Sequence, residues 1–396
     1  MSEHHISDYL DKVVLAVARY IYAHWLGKTP PAYVPEWVQW LYSIFCAVAM
    51  MIFISITCFF LIWWERKVAG QIQRRMGPMT TGPQWKWFVS FLTKYRWWGV
   101  WFGGWLQTPM DALKLLQKED IIPAKADRLI FITAPFVVMT ACFMTFLVIP
   151  FAPHTVMRDL NIGILYLLAV SSFTVIGIIM GGWGSSNKYS LLGGIRSAAQ
   201  IISYEVPMVF SLLSVMVLSG SLRMGAIVDA QIHNPGIGWF IVPLFLGFVV
   251  YLISAVAEIN RTPFDLPEAE SELVAGFNIE YSGMRFAMFY LAEFTNMFVV
   301  AAVAAAVFLG GWTLPFGIDP CAMLRKWNVQ HWSIWASVIG AAVFMIKTYC
   351  IIFIIMWTRW TFPRLRGDHL MGFSWKVLLP LAFVNLLIAC TWVMMV

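Results

Sequence analysis

The sequence predicts an all-α polytopic membrane protein, with about eight transmembrane helices, an amphipathic helix lying in the interface and a folded acidic loop. Three observations carry that prediction. The chain is 60% hydrophobic and only 12% charged over 396 residues, with a mean hydropathy of +0.73. Eight stretches approach the ~20 apolar residues that a helix needs to cross a hydrocarbon core. The charges fall between these stretches, as orientation signals do. A net charge of +6 therefore does not point to nucleic acid, and no nucleic-acid partner is expected.

The stretches lie near 40–63, 129–151, 161–183, 204–221, 237–257, 286–312, 333–357 and 377–395, and the whole reads as a single membrane domain, 1–396. Before them, Val13 to Leu26 is too short and too charged to span and reads as interfacial; no small-residue cleavage site follows it, so no cleaved leader is expected. Between the first two spans, Leu106, Met110, Leu113 and Leu116 share one helical face while Asp111, Lys114 and Lys118 share another. That is the pattern of a helix lying flat on a membrane. Just ahead of it, QWKWFVSFLTKYRWWGVWFGGW (84–105) holds six Trp and three basic residues without an acid. Such a composition suits lipid headgroups, or an aromatic contact with a neighbouring protein chain.

Eight spans place both termini on one side. The loops 65–128, 184–203, 258–285 and 358–376 hold 19 Lys and Arg against seven in the other set with the termini. The positive-inside bias assigns the first set to the cytoplasm. Six cysteines, at 46, 58, 142, 321, 350 and 390, form no CxxC and no cluster with His. No metal or iron–sulfur centre is expected on this chain, and no glycine-rich dinucleotide turn is present.

Residues 257–283, AEINRTPFDLPEAESELVAGFNIEYSG, concentrate six of 21 acids: Glu258, Asp265, Glu268, Glu270, Glu272 and Glu280. Interleaved Phe264, Leu266, Leu273, Val274, Phe277 and Ile279 need something to pack against, so the segment is expected to fold into the protein or against a partner. Three acids meet the spans themselves: Glu205 opens the fourth, Glu258 closes the fifth and Glu293 lies two turns inside the sixth. An ionisable group at the bilayer centre costs about 2.5–3.5 kcal/mol on insertion scales, so a string of them reads as a proton path. Blander readings stand beside it. Glu205 suits the first turn of a helix, and Glu258 sits three residues before Arg261. Glu293 has no basic residue within seven positions along the sequence. Lys347, deep in the seventh span, is its candidate partner or a second relay, with snorkelling to the interface as the alternative.

The stretch 257–298 resembles the quinone-reactive, H-type membrane subunit of respiratory complex I, and so do ERKVAGQIQRRMGP (65–78), DALKLLQKEDIIPAKADR (111–128) and GGIRSAAQIISYEVPM (193–208). The resemblance runs over roughly 40–395. It implies a non-catalytic-alone subunit of a proton-translocating NADH:quinone oxidoreductase of the bacterial inner membrane. Its loops would form the membrane side of a quinone chamber, quinone being the substrate. No cofactor would be bound by this chain alone: the flavin and iron–sulfur clusters would sit in peripheral partner subunits, and antiporter-like subunits would pump. The same resemblance implies a proton path through Glu205, Glu258, Glu293, Asp265, Glu268, Glu270, Glu272 and Glu280. Arg196, Arg261 and Arg285 would balance charge, and Arg66, Gln71, Arg74 and Arg75 would face the chamber mouth or peripheral arm. Departures are the Trp-rich insertion, a shifted proline in QTPMDALK, and an extended N-terminus with Pro30, Pro31 and Pro35. The competing readings are a ferredoxin-driven or hydrogenase-type relative, a free-standing proton-coupled transporter, for which broken spans or internal symmetry are expected and not seen, and a structural scaffold.

Overall fold

A computed structural model describes residues 36–79, 103–153, 156–233, 238–266, 274–314 and 332–395. The N-terminal stretch, most of the Trp-rich insertion, and Glu268, Glu270 and Glu272 lie outside the described residues. The chain divides into two compact units, residues 1–59 and 60–396.

The described part of the first unit is the beginning of α1 (Glu36–Ile72). An apolar helix with polar hydroxyls must satisfy them internally, and Ser55 and Thr57 donate to the Met51 and Phe53 carbonyls one turn back.

Among the described residues the regular elements are helices, seven of them long and apolar enough to cross a membrane and one a shorter apolar helix. After the end of α1 come α2 (Gln107–Gln117), α3 (Arg128–Thr145), α4 (Gly163–Gly184), α5 (Lys188–Ser219) and α6 (Met224–His233). These are followed by α7 (Phe245–Glu258), a 3-10 turn (Gly276–Asn278), α8 (Gly283–Val307) and α9 (Trp332–Thr361). The chain closes with α10 (Gly367–Phe373), a π turn (Ser374–Leu378) and α11 (Leu379–Met395). The eight expected spans correspond to α1, α3, α4, α5, α7, α8, α9 and α11.

Their bounds differ from the apolar runs where tertiary contacts replace water. Helix α5 begins 16 residues before the expected 204, because its polar first half is buried and satisfied. Ser190 donates to the Phe277 carbonyl, and Gln200 donates to the carbonyls of Ala257 and Phe264. The fifth span, expected from 237, is helical only from Phe245. Its first turn is held by another element: Asn385 on α11 accepts from the Gly247 amide and donates to Ser214 on α5, supplying a partner that a helix start otherwise lacks. Helix α6 lies outside the eight stretches, ten residues being too few to span.

Apolar side chains drive no helix association in lipid, so close approach of small residues does that work. Helix α3 packs on α4, α4 on α5, α5 on α7 and α11, and α8 on α3 and α9. At the α4–α5 contact a side chain on Gly182 would stand 2.9 Å from the Ser190 carbonyl oxygen. The run Val299 to Val307 of α8 is wholly buried, which makes α8 a central element. Helix α2, by contrast, exposes Leu106, Met110, Leu113 and Leu116 together, the apolar face read from its sequence.

Candidate functional site

The site begins where α1 carries ERK past the expected end of its span. Glu65 is 5% exposed, and an isolated buried carboxylate is expensive. Arg261, itself 4% exposed, donates to both Glu65 oxygens at 3.1 and 3.2 Å, and Arg359 on α9 donates to Glu65 Oε1. Arg261 also lies 3.9 Å from Glu293 on α8, with its guanidinium 4.4 Å from the Phe294 ring centroid. One arginine thus stands between two acids contributed by different helices. Phe264 and Leu266 are buried, and Phe264 meets the Tyr204 ring edge-on at 5.3 Å. These apolar anchors fix the turn carrying Arg261.

Beside this cluster lies a cavity of about 650 Å³, walled by Glu65, Arg66, Arg75, Tyr290, Arg359 and Trp360 among others. Its size falls in the range of small-molecule sites. The hairpin 70–78 forms one wall: the Arg75 amide donates to the Gly70 carbonyl at 2.7 Å, and Lys67 donates to the Pro78 carbonyl at 2.6 Å. Arg66 pairs with Asp111 at 2.6 Å, tying the end of α1 to the interfacial α2. Gln71 and Arg74 are exposed on the same hairpin without lining the cavity.

A second, small cavity of about 20 Å³ touches both Glu258 and Glu293, with Thr174, Asn260 and Asn296 in its wall. That volume and polarity suit one water molecule. Glu258 hydrogen-bonds Ser171 and lies close enough to Glu205 for their charges to interact, and Ser172 donates to Glu205 at 2.7 Å. Three of the predicted acids, Glu205, Glu258 and Glu293, are therefore brought into one succession.

The remaining predicted residues are placed elsewhere. Glu280 accepts from Asn187 at 2.7 Å, and Arg285 pairs with Asp120 at 3.2 Å beneath the Phe131 ring. Tyr281 stacks on Phe131 at 4.1 Å and donates to its carbonyl; burial raises the Tyr281 pKa. These contacts fasten the end of the acidic segment to α3 and α5. Asp265 is partly buried at the turn after Pro263, and Arg196 is exposed on α5. Lys347 is held by backbone carbonyls of the loop just beyond α8, while Arg261 is a cation beside Glu293; of the readings open for Lys347, these contacts take the place of a pairing with Glu293.

Sequence reasoning missed Glu65, Arg359 and the serines of α4. A signal existed for the first: a glutamate directly after an apolar run needs a partner. Adjacent Arg66 and Lys67 made that need look locally met, whereas the structural partners are 196 and 294 residues away.

The NADH dehydrogenase family profile matches residues 45–390. The H-type subunit of the NADH-quinone oxidoreductase of Anoxybacillus flavithermus is 46% identical over 358 residues, covering 89% of this chain and 95% of that protein. The protein of the same name from Bacteroides thetaiotaomicron is 42% identical over 376 residues, covering 93% and 96%. That from Brevibacillus brevis is 44% identical over 354 residues, covering 89% and 94%.

Proposed function

This chain belongs to the NADH dehydrogenase family, and on that premise we propose that it is the H-type membrane subunit of a proton-translocating NADH:quinone oxidoreductase. In this reading the cavity beside Glu65 is the membrane-side wall of the quinone chamber. Glu293, Glu258 and Glu205 start the path that couples quinone reduction to proton movement, with Asp265, Glu268, Glu270, Glu272 and Glu280 in the adjoining acidic segment. The chain sits in a bacterial inner membrane, with termini on the periplasmic side according to its loop charges. Peripheral subunits with flavin and iron–sulfur clusters, and antiporter-like membrane subunits, are its partners.

The observation that carries the proposal is Arg261 shared between Glu65 at the cavity wall and Glu293 at the water-sized cavity. Quinone takes two electrons from the partner subunits' clusters and two protons to become quinol. A headgroup that gains negative charge before its protons arrive attracts Arg359, Arg66 and Arg75 at the cavity wall. Drawing Arg359 from Glu65 strengthens the hold of Glu65 on Arg261, and Glu293 then loses part of its counter-charge. A proton drawn onto Glu293 through the cavity shared with Glu258 restores balance. The acids titrate as a group, so no proton belongs to one of them alone. Exposed Leu106, Met110, Leu113 and Leu116 of α2 support a lipid-facing approach to the chamber.

The test pairs Glu258→Gln with Glu293→Gln in the assembled complex. Both variants should assemble and both should lower proton translocation coupled to quinone reduction; normal coupled rates in both, with full assembly, would overturn the assigned path. Purification through a tag on this chain should bring flavin and iron–sulfur subunits with it, and a stable chain arriving alone would overturn the subunit assignment.

A further inference from the structure

Helix α8 ends inside the bundle: Ala306, Val307 and Phe308 are all at or below 1% exposure. The last carbonyls of a helix have no partner within it and carry the negative end of its dipole. At membrane depth each must be satisfied by protein. Gln231 of α6 donates to the carbonyls of Ala306 and Val307, and the Ile241 amide donates to Phe308. The carbonyls of Ala304 and Ala305 accept from the amides of Phe308 and Gly311, and three oxygens of the loop beyond the helix converge on one ammonium. Lys347 donates to the carbonyls of Leu309, Gly311 and Thr313 at 2.5, 2.9 and 2.5 Å, with the Trp239 ring centroid 4.4 Å away.

Three convergent carbonyls and an aromatic face form the kind of site that receives a free ammonium or alkali cation. The loop is shaped for it. Gly310 and Gly311 adopt φ of +70° and +53°, which turns alternate carbonyls to one side. A side chain on Gly310 would stand 2.7 Å from Trp239 Cδ1. Trp239 is itself fixed by donating to the Thr313 hydroxyl at 3.1 Å. Leu309 lies 16 residues beyond Glu293 along the same chain, a distance of roughly 24 Å at 1.5 Å per residue, so the site is remote from the acidic cluster.

We propose that Lys347 is a tethered cation seated in a carbonyl cradle, and that it seals this end of the α8–α9 pair against water and free cations. Without the ammonium the three oxygens would recruit water or a mobile cation, and the protein would leak at the end opposite the quinone-side acids. Lys347 then stabilises and seals without carrying the translocated proton.

Two variants of the assembly purified through this chain separate the possibilities. Lys347→Ala leaves room in the cradle, and its lowered thermal stability should be restored by ethylammonium chloride but not by tetramethylammonium chloride, which has no N–H donor. Lys347→Met fills the room without charge, so ethylammonium should not stabilise it. In proteoliposomes without electron donor, Lys347→Ala should raise passive proton conductance severalfold while leaving the quinone-reduction rate near wild type. If neither variant assembles, ethylammonium in the growth medium should restore the alanine variant alone. Wild-type stability and tightness in Lys347→Ala would overturn the proposal, as would absence of selective ethylammonium rescue. Lost proton translocation in tight liposomes with quinone reduction intact would overturn it in favour of a relay.

Discussion

Replacing Glu65 by glutamine removes one charge and almost no volume from the wall of the larger cavity. At the 3.1 Å separation of Arg261 and Glu65, an effective dielectric of about 20 gives roughly 5 kcal/mol of attraction. The amide retains a neutral hydrogen bond worth about 1 kcal/mol. The expected loss is therefore about 3–5 kcal/mol, the range found when one member of a buried pair is deleted. Arg359, about a quarter exposed, recovers some hydration, whereas Arg261 cannot and shifts toward Glu293. If the catalytically competent wall depends on this clamp, about 3 kcal/mol corresponds to a loss of roughly 100-fold in kcat/KM for quinone. The assay is a double-mutant cycle on kcat/KM with Glu65→Gln, Arg261→Gln and both together, in complexes matched for assembly. Groups in one network are non-additive, so the double variant should resemble the worse single variant. Additive losses, or a Glu65→Gln enzyme with unchanged kcat/KM, would refute the clamp.

Other substitutions test how the site is held. A side chain on Gly193 would meet the Gly276 α-carbon and the Phe277 amide nitrogen at 2.7 Å. Gly193→Ala should therefore displace the acidic segment and cost about 1–3 kcal/mol, outweighing a helix gain of up to about 1 kcal/mol; lower thermal stability and faster proteolysis of residues 258–285 are the readouts. Asn385→Leu leaves the Gly247 amide and Ser214 without their partner and should cost about 1–3 kcal/mol, read as a lower melting temperature with unchanged quinone KM in what remains assembled. Arg285→Gln breaks the partly exposed pair with Asp120; screening limits its stability cost to about 1 kcal/mol or less, so assembly should survive, and a collapse of assembly would show that this contact holds more than one segment.

The helices were legible because lipid imposes a length and a composition that few other constraints imitate. Glu293 was legible as well, since no basic residue near it in sequence could explain it. The ends of helices were not. The start of α5 at Lys188 depends on Gln200 reaching the carbonyls of Ala257 and Phe264, and the late start of α7 coincides with Asn385 capping it from another helix. Those partners are distant in the chain.

The sequence by itself determined the class, the order of the spans, the acidic segment and the family motifs, because hydropathy and residue identity are local properties. Only the tertiary structure decided which charge meets which. Arg261, three residues from Glu258 in the chain, turns instead to Glu65 and Glu293, and Lys347 turns to three carbonyls. In a medium without water, a charge or a carbonyl takes the partner that packing brings within about 3 Å, and sequence separation sets no limit on how far along the chain that partner lies.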